Sequence, residues 1–565
     1  MAMDDVRSTV GPDCYHKAQD RQTRLMIVSQ FGAMMCYFFR SALMCIGVEY
    51  TSIFKVINMV LIIALGVLLS TILLYCAYSK WKFQYWARQG VPQLNPRIFF
   101  GDTLPLVRGK PVQDFHLDIY QKFKPTGAKC VGMYNSHIPE LVAIDINLLK
   151  DIIVKDYSSF ASHGLFYHEK NVLTPHVFNI EGQIWKERRT KLTPLFTSAK
   201  MKQMFATVAG KSPGLIRLVG LSVDANKPAD IKEILSRFTT DVISEAAFGL
   251  DCKSLDEPDN MFRSIGREAF KPNSIKLYIE NLFPSQFLGN IGYQAFSSRI
   301  VSYFSKVVNE TIQYREKNNV QRNDFLQLML QLKQHGSLVK EDGTVDVKET
   351  GAYITDKEIL SESFVIFLAG HETSSSASTF ALFALAQNPD IQDKLRTEIN
   401  EVLKRHDGKF GYDAIIEMEY LDKVVRETLR KYPVAPVIPR RCTKDYKIRD
   451  TNIVIEKGTR IYIPVIGVHL DPEYYPDPDR FDPERFSPEN KAIRPDIAWM
   501  PFGDGPRQCL GMRFGLLQTK VALASLLQEF KFTLNKAMKA PYTADTGTFV
   551  YMFKQDVLLD ATRVN

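Results

Sequence analysis

The chain has 565 residues, of which 45% are hydrophobic and 24% are charged, the proportions of an ordinary globular protein. Its formal net charge of +8 favours an acidic protein partner or an anionic membrane surface and argues against dedicated nucleic-acid binding. The eight cysteines form no CxxC pair and no regular spacing, which argues against a disulfide framework and a zinc site and suits a reducing compartment.

The N-terminal segment, residues 1–58, has no clear assignment. Its apolar stretch, residues 25–48, is interrupted by Gln30 and Arg40. It leaves three alternatives: an interfacial helix, a second membrane span, or an upstream extension without a role. We favour the last, because a central charge makes membrane crossing costly.

Residues 59–79 are predicted to be a transmembrane anchor. The run from Met59 to Tyr78 has about twenty apolar residues, enough to cross a bilayer core as a helix. A cleaved signal peptide is the alternative, but the run is too long for one and no small-residue cleavage site follows. Basic and aromatic residues on the C-terminal side favour a cytosolic location for the rest of the chain: Lys80, Trp81, Lys82, Trp86 and Arg88.

A hinge and one large domain are predicted to follow. Residues 80–100 contain Pro92 and Pro96, which should stiffen the connection. Residues 101–565 are dominated by helical patterns, with short β-rich pieces at 141–144 and 459–463. We therefore expect a mainly α fold with a minor β region. The long helical patterns are at 184–205, 231–248, 298–314, 356–387, 391–404, 417–432 and 512–530.

The 356–387 pattern contains Ala369-Gly370-His371-Glu372-Thr373. The two small residues thin one helix face, so that a planar macrocycle and a diatomic ligand would fit beside it. Thr373 is four residues after Ala369 and shares its face. A hydroxyl next to an acid can relay protons, although a threonine within a helix more often bonds a backbone carbonyl.

Two pairs of polar side chains in other helical patterns look ordinary by themselves. Trp185 and Arg189 are four residues apart, so an indole N–H and a guanidinium share a face that suits a carboxylate. Glu427 and Arg430 are three residues apart on one face. Without further context, Arg189 is a surface charge and Glu427–Arg430 a solvated pair.

The segment 502–511, Phe-Gly-Asp-Gly-Pro-Arg-Gln-Cys-Leu-Gly, is the most informative in the chain. It places Cys509 just before a helix, where backbone N–H groups and the helix dipole favour an anion. Arg507 adds positive charge two residues before the sulfur. Such surroundings favour a thiolate, which is a metal ligand. An isolated cysteine is usually a small buried hydrophobe, but the ten-residue context argues otherwise.

The pattern F-x-x-G-x-R-x-C-x-G resembles the haem-ligand loop of the cytochromes P450. The resemblance covers about four-fifths of the chain, from residue 90 onward. Residues 191–202 and 441–446 resemble the insect microsomal P450s of the detoxification type. The P450 resemblance implies that Cys509 holds the iron of haem b and that Glu372 and Thr373 take part in oxygen activation. It further implies that the haem is bound by Trp185, Arg189, Arg440, Phe502, Arg507 and Gly511.

Other residues receive roles from the same resemblance. Glu427, Arg430 and Arg485 are expected to form a buried network that braces the haem-binding core. Arg441 is the alternative to Arg440 as a propionate partner, and His371 is expected to pack. Lys186, Arg188 and Lys191 form a predicted docking patch for an acidic reductase, with a solvated helix face as the alternative. The predicted substrate pocket comprises 163–178, Phe364, Phe367, Val437 and 548–549.

The resemblance implies a membrane-anchored haem-thiolate monooxygenase of the endoplasmic reticulum with its catalytic domain in the cytosol. Such enzymes insert one atom of O2 into lipophilic small molecules. The electrons are expected from NADPH through cytochrome P450 reductase, with cytochrome b5 as a second candidate, and no NADPH site is expected in the chain itself. The alternatives are a peroxide isomerase or dehydratase of the same fold and a non-enzymatic haem protein.

Overall fold

The computed structural model describes residues 34, 50–271, 276, 279–280, 282–336, 353–546, 548 and 550–564. Contacts divide the chain into two units, Met1–Trp81 and Lys82–Asn565. The apolar segment 25–48, apart from Met34, and the predicted pocket residue Phe549 lie outside the described residues.

The first unit is described mainly by one long helix, α1 (Tyr50–Lys82). This helix contains the whole predicted anchor, and its apolar side chains are exposed from Phe54 to Tyr78. It is long and apolar enough to cross a membrane. We therefore treat it as a candidate membrane span.

The second unit is mainly helical, as predicted, and its described helices follow in chain order. They are α2 (Tyr85–Arg88), α3 (Leu104–Val107), α4 (Val112–Phe123), α5 (Ile146–Lys150), α6 (Gly182–Leu192), α7 (Ser198–Gly210), α8 (Ser212–Asp224), α9 (Ile231–Phe248), α10 (Met261–Phe270), α11 (Ser285–Asn290), α12 (Ser298–Asn318), α13 (Phe325–His335), α14 (Asp356–Gln387), α15 (Pro389–Arg405), α16 (Tyr412–Glu417), α17 (Glu419–Lys431), α18 (Val465–His469), α19 (Pro488–Ala492) and α20 (Met512–Glu529).

Local chemistry explains where the longest helices begin and end. Thr355 and Glu358 form a reciprocal capping box that starts α14. The Asp230 carboxylate accepts the Glu233 N–H at the start of α9, and Gly249 ends that helix at φ 65°. The predicted helix 184–205 is two helices, because the segment Thr193–Phe196 with its proline forms a 3-10 turn between them.

The strands form three small sheets. The largest has the order β1 (Cys130–Asn135), β2 (Ile138–Ala143), β7 (Arg460–Ile463), β4 (Ile438–Arg441), with β2 and β7 parallel and the other neighbours antiparallel. The second has the order β3 (Ala229–Asp230), β9 (Leu558–Arg563), β8 (Phe530–Leu534). The third pairs β5 (Tyr446–Lys447) with β6 (Val454–Ile455).

The segment predicted as a hinge is packed against the largest sheet. Trp86 is fully buried against Gly132 of β1, where a Cβ would collide with the indole. Gln93 pairs with the same glycine as an isolated β-bridge. Residues 83–97 are therefore packed within the second unit. The missing side chain at Gly132 of β1 lets the Trp86 indole fit closely.

Helix α14 runs through the helical core and organises the candidate site. It packs against α9 on one side and α20 on another, and nearly all of its C-terminal half is buried. A separate hydrophobic cluster lies under the largest sheet. The segment that carries Cys509 connects the two, since it follows Met500 of the sheet cluster and leads into α20 of the helical core.

Candidate active site

The Cys509 loop is a tight turn that ends at the start of α20, as predicted. Gly503 and Gly505 have φ values of 68° and 63°, which favour glycine. A Cβ on Gly505 would also collide with the carbonyl of Ile153. The Cys509 N–H donates to the Phe502 carbonyl at 2.9 Å, and Gly511 is the N-cap of α20. The backbone thus presents the sulfur at a fixed position before the helix.

The electrostatic surroundings of Cys509 differ from the prediction. Cys509 is exposed, but desolvation by the protein around the sulfur still raises the pKa of the thiol, whereas the backbone N–H of Gly511 and the charge of Arg189 lower it. Arg507, two residues away in sequence, is not among the groups that act on the sulfur, because its side chain points elsewhere. A thiol of this kind becomes a thiolate when a metal ion competes with its proton.

Three arginines from different parts of the chain meet beside this loop. Arg189 of α6 donates to the Gln508 carbonyl at 2.6 Å. Arg440 of β4 is 2% exposed, and its one hydrogen bond recorded in the described structure goes to the Pro439 carbonyl. Burial, together with the charges of Arg440 and Arg189, lowers the pKa of Arg507 to about 9. Arg440 and Arg507 are buried and Arg189 is half-buried, and the positive charges of Arg440 and Arg189 disfavour the charged form of Arg507.

Among the described residues no carboxylate forms an ion pair with this positive cluster; Glu181 acts on Arg507 from a distance but pairs with Arg441. Burial is the only cause acting on Arg440, whose pKa falls to about 10. Within the same described part of the chain, the buried indole Nε1 of Trp185 has no hydrogen-bond partner. Buried charges are normally paired. The surplus of donors fits two carboxylates, such as the propionates of a haem, and a Cys509 thiolate would suit its iron.

The structure distinguishes Arg440 from Arg441. The side chain of Arg441 is 36% exposed and pairs with Glu181. Arg440 is buried within the cluster and has no recorded acidic partner in the described structure. Arg440 is therefore the stronger candidate for a propionate partner, because only its guanidinium lacks compensating charge.

Arg507 is anchored more firmly than its motif position suggests. Its guanidinium donates to the carbonyls of Ala161, Val177 and Ile180 at 2.6, 3.1 and 2.7 Å, and it lies 4.0 Å from the Trp185 ring centre. These contacts clamp the 161–180 loop to the cysteine loop. A haem contact by Arg507, Phe502 or Gly511 stays a prediction.

His163 also belongs to this cluster, and its side chain is buried. A ring nitrogen, Nδ1, lies 2.7 Å from the Phe178 carbonyl, and burial with the charges of Arg440 and Arg507 depresses the pKa of the imidazole. From the sequence, His163 was predicted only to belong to the substrate-pocket segment 163–178. Its proximity to the arginines depends on how the loop folds back.

The small residues of α14 divide between two faces. Ala369 is exposed and Thr373 is half-buried, and the Thr373 hydroxyl donates to the Ala369 carbonyl at 2.5 Å. Gly370 instead faces α9, where a Cβ would collide with Ile243. The prediction that both small residues open a common face was wrong, because Gly370 serves helix packing. The open face consists of Ala369 and Thr373.

The predicted Glu427–Arg430 network is confirmed as buried. Both side chains are 0% exposed, and Arg430 donates to both carboxylate oxygens of Glu427 at 2.7 and 2.8 Å. Arg485 lies 3.5 Å from the same carboxylate, and the Asp482 N–H donates to it at 2.8 Å. Arg430 also binds the His469 carbonyl. The network thereby ties α17 to α18 and to the segment after it.

The predicted docking patch is not one surface. Lys186 is exposed, but Arg188 is 5% exposed and pairs with Glu358 and Glu362 of α14. Lys191 is half-buried and donates to a backbone carbonyl. Arg188 therefore joins α6 to α14 and cannot meet a partner protein.

Sequence reasoning missed Glu362, which is fully buried. Burial raises the pKa of Glu362 to about 7, against the opposing charge of Arg188, and the carboxylate also accepts the Val177 N–H at 2.8 Å. Glu358 and Glu362, two acids four residues apart in the N-terminal part of α14, were the available signal, because an acid that becomes buried there requires a cation nearby.

Part of the predicted substrate pocket is interior instead. Phe364 and Phe367 are fully buried and pack edge-to-face on Phe296 and Phe262 respectively. They therefore stabilise the contact of α14 with α10 and its neighbours. Val437 is half-buried, and its place in a pocket stays a prediction.

The chain is similar to several known proteins over most of its length. A profile described as "Cytochrome P450" matches residues 91–556. Cytochrome P450 6A1 of Musca domestica is 38% identical over 512 residues, which are 89% of this chain and 98% of the relative. Cytochrome P450 6a2 of Drosophila melanogaster is 38% identical over 495 residues, 86% of this chain and 96% of the relative. The similarity thus extends over nearly the whole of each relative.

Proposed function

Because the chain belongs to the cytochrome P450 family of haem-thiolate monooxygenases, we propose that it oxidises lipophilic small molecules. The electrons would come from NADPH through a separate reductase. The observation that carries the proposal is the group of three arginines beside the Cys509 loop. Arg440 and Arg507 are buried, Arg189 is half-buried, and none of them forms an ion pair with a carboxylate among the described residues. Family membership supports the rest.

Each residue of the site has a distinct task in this proposal. Cys509 would hold the haem iron, and Trp185, Arg189 and Arg440 would bind the propionates by charge-assisted hydrogen bonds. The bound haem supplies O2 activation, to which a cysteine ligand contributes by donating electron density. The network of Glu427 would keep the cysteine segment aligned. Thr373 on the open face of α14 and the adjacent Glu372 would hold and move protons.

The reaction is tested with the purified full-length protein, NADPH, a purified P450 reductase and a panel of lipophilic compounds. Compounds that shift the haem absorption spectrum are expected to be oxidised and to stimulate NADPH use. Omitting the reductase should stop both activities. Spectral binding without oxidation by any compound would favour a non-enzymatic haem protein. Turnover of organic hydroperoxides without NADPH would favour the isomerase alternative.

Replacing Thr373 by alanine is expected to uncouple the reaction. Haem content and NADPH use should be largely retained, while more electrons leave as hydrogen peroxide. Losing a positioned acid typically slows proton transfer by roughly 10²–10⁴-fold, and water beside the exposed Ala369 should offset part of that loss. The measurement is product formed per NADPH consumed.

Thr373→Ser is the matched control, because it keeps the hydroxyl and should retain most of the coupling. An unchanged ratio in the alanine variant would mean that the hydroxyl serves only its 2.5 Å bond to the Ala369 carbonyl. It would also remove one argument against the peroxide isomerase.

We further propose an endoplasmic reticulum location with α1 as a single span and the second unit in the cytosol. The excess of basic residues after the span supports this orientation. The one N-x-S/T sequon of the chain begins at Asn309, an exposed position on α12. Asn309 should therefore carry no glycan in microsomes, as judged by glycosidase digestion and gel mobility.

A control strengthens the topology test. A sequon added before residue 50 should be glycosylated in the same preparation, because that side would face the lumen. A glycan on Asn309 would contradict the orientation and exclude a cytosolic reductase as the electron donor.

A further inference from the structure

His371 lies next to the proposed proton-transfer acid and has a polar environment that simple packing does not require. Its side chain is fully buried, and its ring is parallel to that of Phe367, with the ring centres 6.0 Å apart. Gly266 of α10 leaves room for both rings, because a Cβ there would lie 3.4 Å from the imidazole Nδ1 and 2.9 Å from Phe367. Packing therefore determines where the imidazole lies.

The two ring nitrogens face different polar groups. Nε2 lies 3.3 Å from the Ser236 hydroxyl of α9. Nδ1 lies 3.6 Å from Oε1 of Glu372, and among the described residues it has no hydrogen-bond partner. His371 thus stands between a hydroxyl on one helix and the acid on its own helix.

The Glu372 carboxylate only accepts hydrogen bonds, so it favours the tautomer with the proton on Nδ1, and the Ser236 hydroxyl can then donate to Nε2. A neutral imidazole has one donor and one acceptor. When Nε2 accepts from the Ser236 hydroxyl, the proton is on Nδ1 and points toward the Glu372 carboxylate. The 3.6 Å separation is longer than a hydrogen bond. The Glu372 side chain is 14% exposed, and a direct hydrogen bond requires its carboxylate to move closer to Nδ1.

The surroundings favour a neutral ring in this role. Burial lowers the pKa of His371, and the charges of Arg263 and Arg267 add to that effect, while Glu372 opposes it. The other face of Glu372 borders a small cleft with Lys232 of α9 and Ser375, Ser376 and Thr379 of α14. The carboxylate therefore lies near His371 and also borders the cleft.

We propose that His371 is a positioning residue for Glu372: its Nδ1–H, oriented by the Ser236 hydroxyl, holds the carboxylate in the geometry from which it passes protons toward Thr373. This inference rests on the proposed monooxygenase function. His371 does not itself touch the reacting atoms. Its contribution is to restrict the conformations of a partly exposed glutamate.

The central test compares His371→Phe with His371→Gln in the full-length enzyme with reductase. Phenylalanine keeps the ring that lies over Phe367 but removes the donor. Glutamine loses the ring but restores an N–H at a similar reach. Product per NADPH should fall about tenfold in His371→Phe, as for loss of a hydrogen-bonding partner behind a functional side chain, and should recover largely in His371→Gln. Haem content and melting temperature report packing separately.

Two further variants make the test independent of folding defects. Adding His371→Phe to Glu372→Gln should cause no further loss of coupling, because the carboxylate that His371 holds is already gone. Ser236→Ala leaves the imidazole in place and removes only the group that orients it. Like His371→Phe, Ser236→Ala should lower product per NADPH, and it should keep its full haem content. It therefore tests the inference even if His371→Phe folds poorly.

The outcomes separate the inference from the proposed function. Wild-type coupling in His371→Phe or Ser236→Ala would overturn the inference, as would equal losses in the phenylalanine and glutamine variants or additive losses with Glu372→Gln. If Glu372→Gln itself leaves coupling unchanged, the proton-transfer role in the proposed function fails first. If Glu372→Gln uncouples the enzyme and the His371 variants do not, only the inference fails.

Discussion

Cys509→Ser should abolish the red-shifted absorption band of the reduced carbon monoxide complex. That band reflects electron donation from a thiolate to the iron, and a serine oxygen does not reproduce it. Monooxygenase activity should be lost with the band. The measurement is a difference spectrum of the purified variant, with total haem determined separately so that loss of haem is distinguished from loss of the thiolate ligand.

Cys252→Ser is the matched control. Cys252 is a free, half-buried cysteine in the segment after α9, and its thiol pKa is raised to about 11, mainly by burial. This control should keep both the band and the activity. Retention of the band in Cys509→Ser would refute the assignment of Cys509 as the iron ligand, because another residue would then supply the thiolate.

Glu427→Ala should produce the largest loss of stability and prevent haem incorporation. It leaves the fully buried Arg430 without its carboxylate, and it removes the opposite charge beside Arg485 and the acceptor of the Asp482 N–H. Breaking a buried ion pair in this way typically costs about 3–5 kcal/mol, out of a total unfolding free energy of about 5–15 kcal/mol. Soluble yield, haem per protein and melting temperature should all fall.

Glu417→Ala is the appropriate comparison, since Glu417 pairs with Arg405 and His406 at the surface. Exposed pairs contribute little, because water screens them and ordering the side chains is costly. This variant should load haem normally. If Glu427→Ala were equally soluble and fully loaded, the buried network would not be needed for the haem-binding core.

Several features could be predicted because they depend on residues close together in sequence. The cysteine loop combines glycines with an adjacent helix, so its place before α20 follows from local geometry. The bounds of α9 and α14 were predicted exactly, since capping residues and apolar periodicity agree at both helices. The break between α6 and α7 was missed, although Pro194 was the available signal.

The functions of charged residues were harder to predict, because they depend on contacts between distant segments. Arg188 and Arg189 are neighbours in sequence, yet Arg188 pairs with Glu362 and Arg189 lies beside Cys509. A helix separates adjacent side chains by about 100°, so the two necessarily face different partners. Which face meets α14 and which meets the cysteine loop depends on tertiary packing.

The sequence by itself determined the fold class, the candidate membrane helix, the position of Cys509 before α20 and the Glu427–Arg430 pairing, because each follows from local spacing, apolar length or a long motif. Only the tertiary structure decided that Gly370 packs on Ile243, that Arg440 rather than Arg441 is buried without a recorded acidic partner in the described part of the chain, and that Ser236 meets His371. The physical reason is that burial and charge compensation arise when distant segments meet, and no local pattern specifies which segments those are.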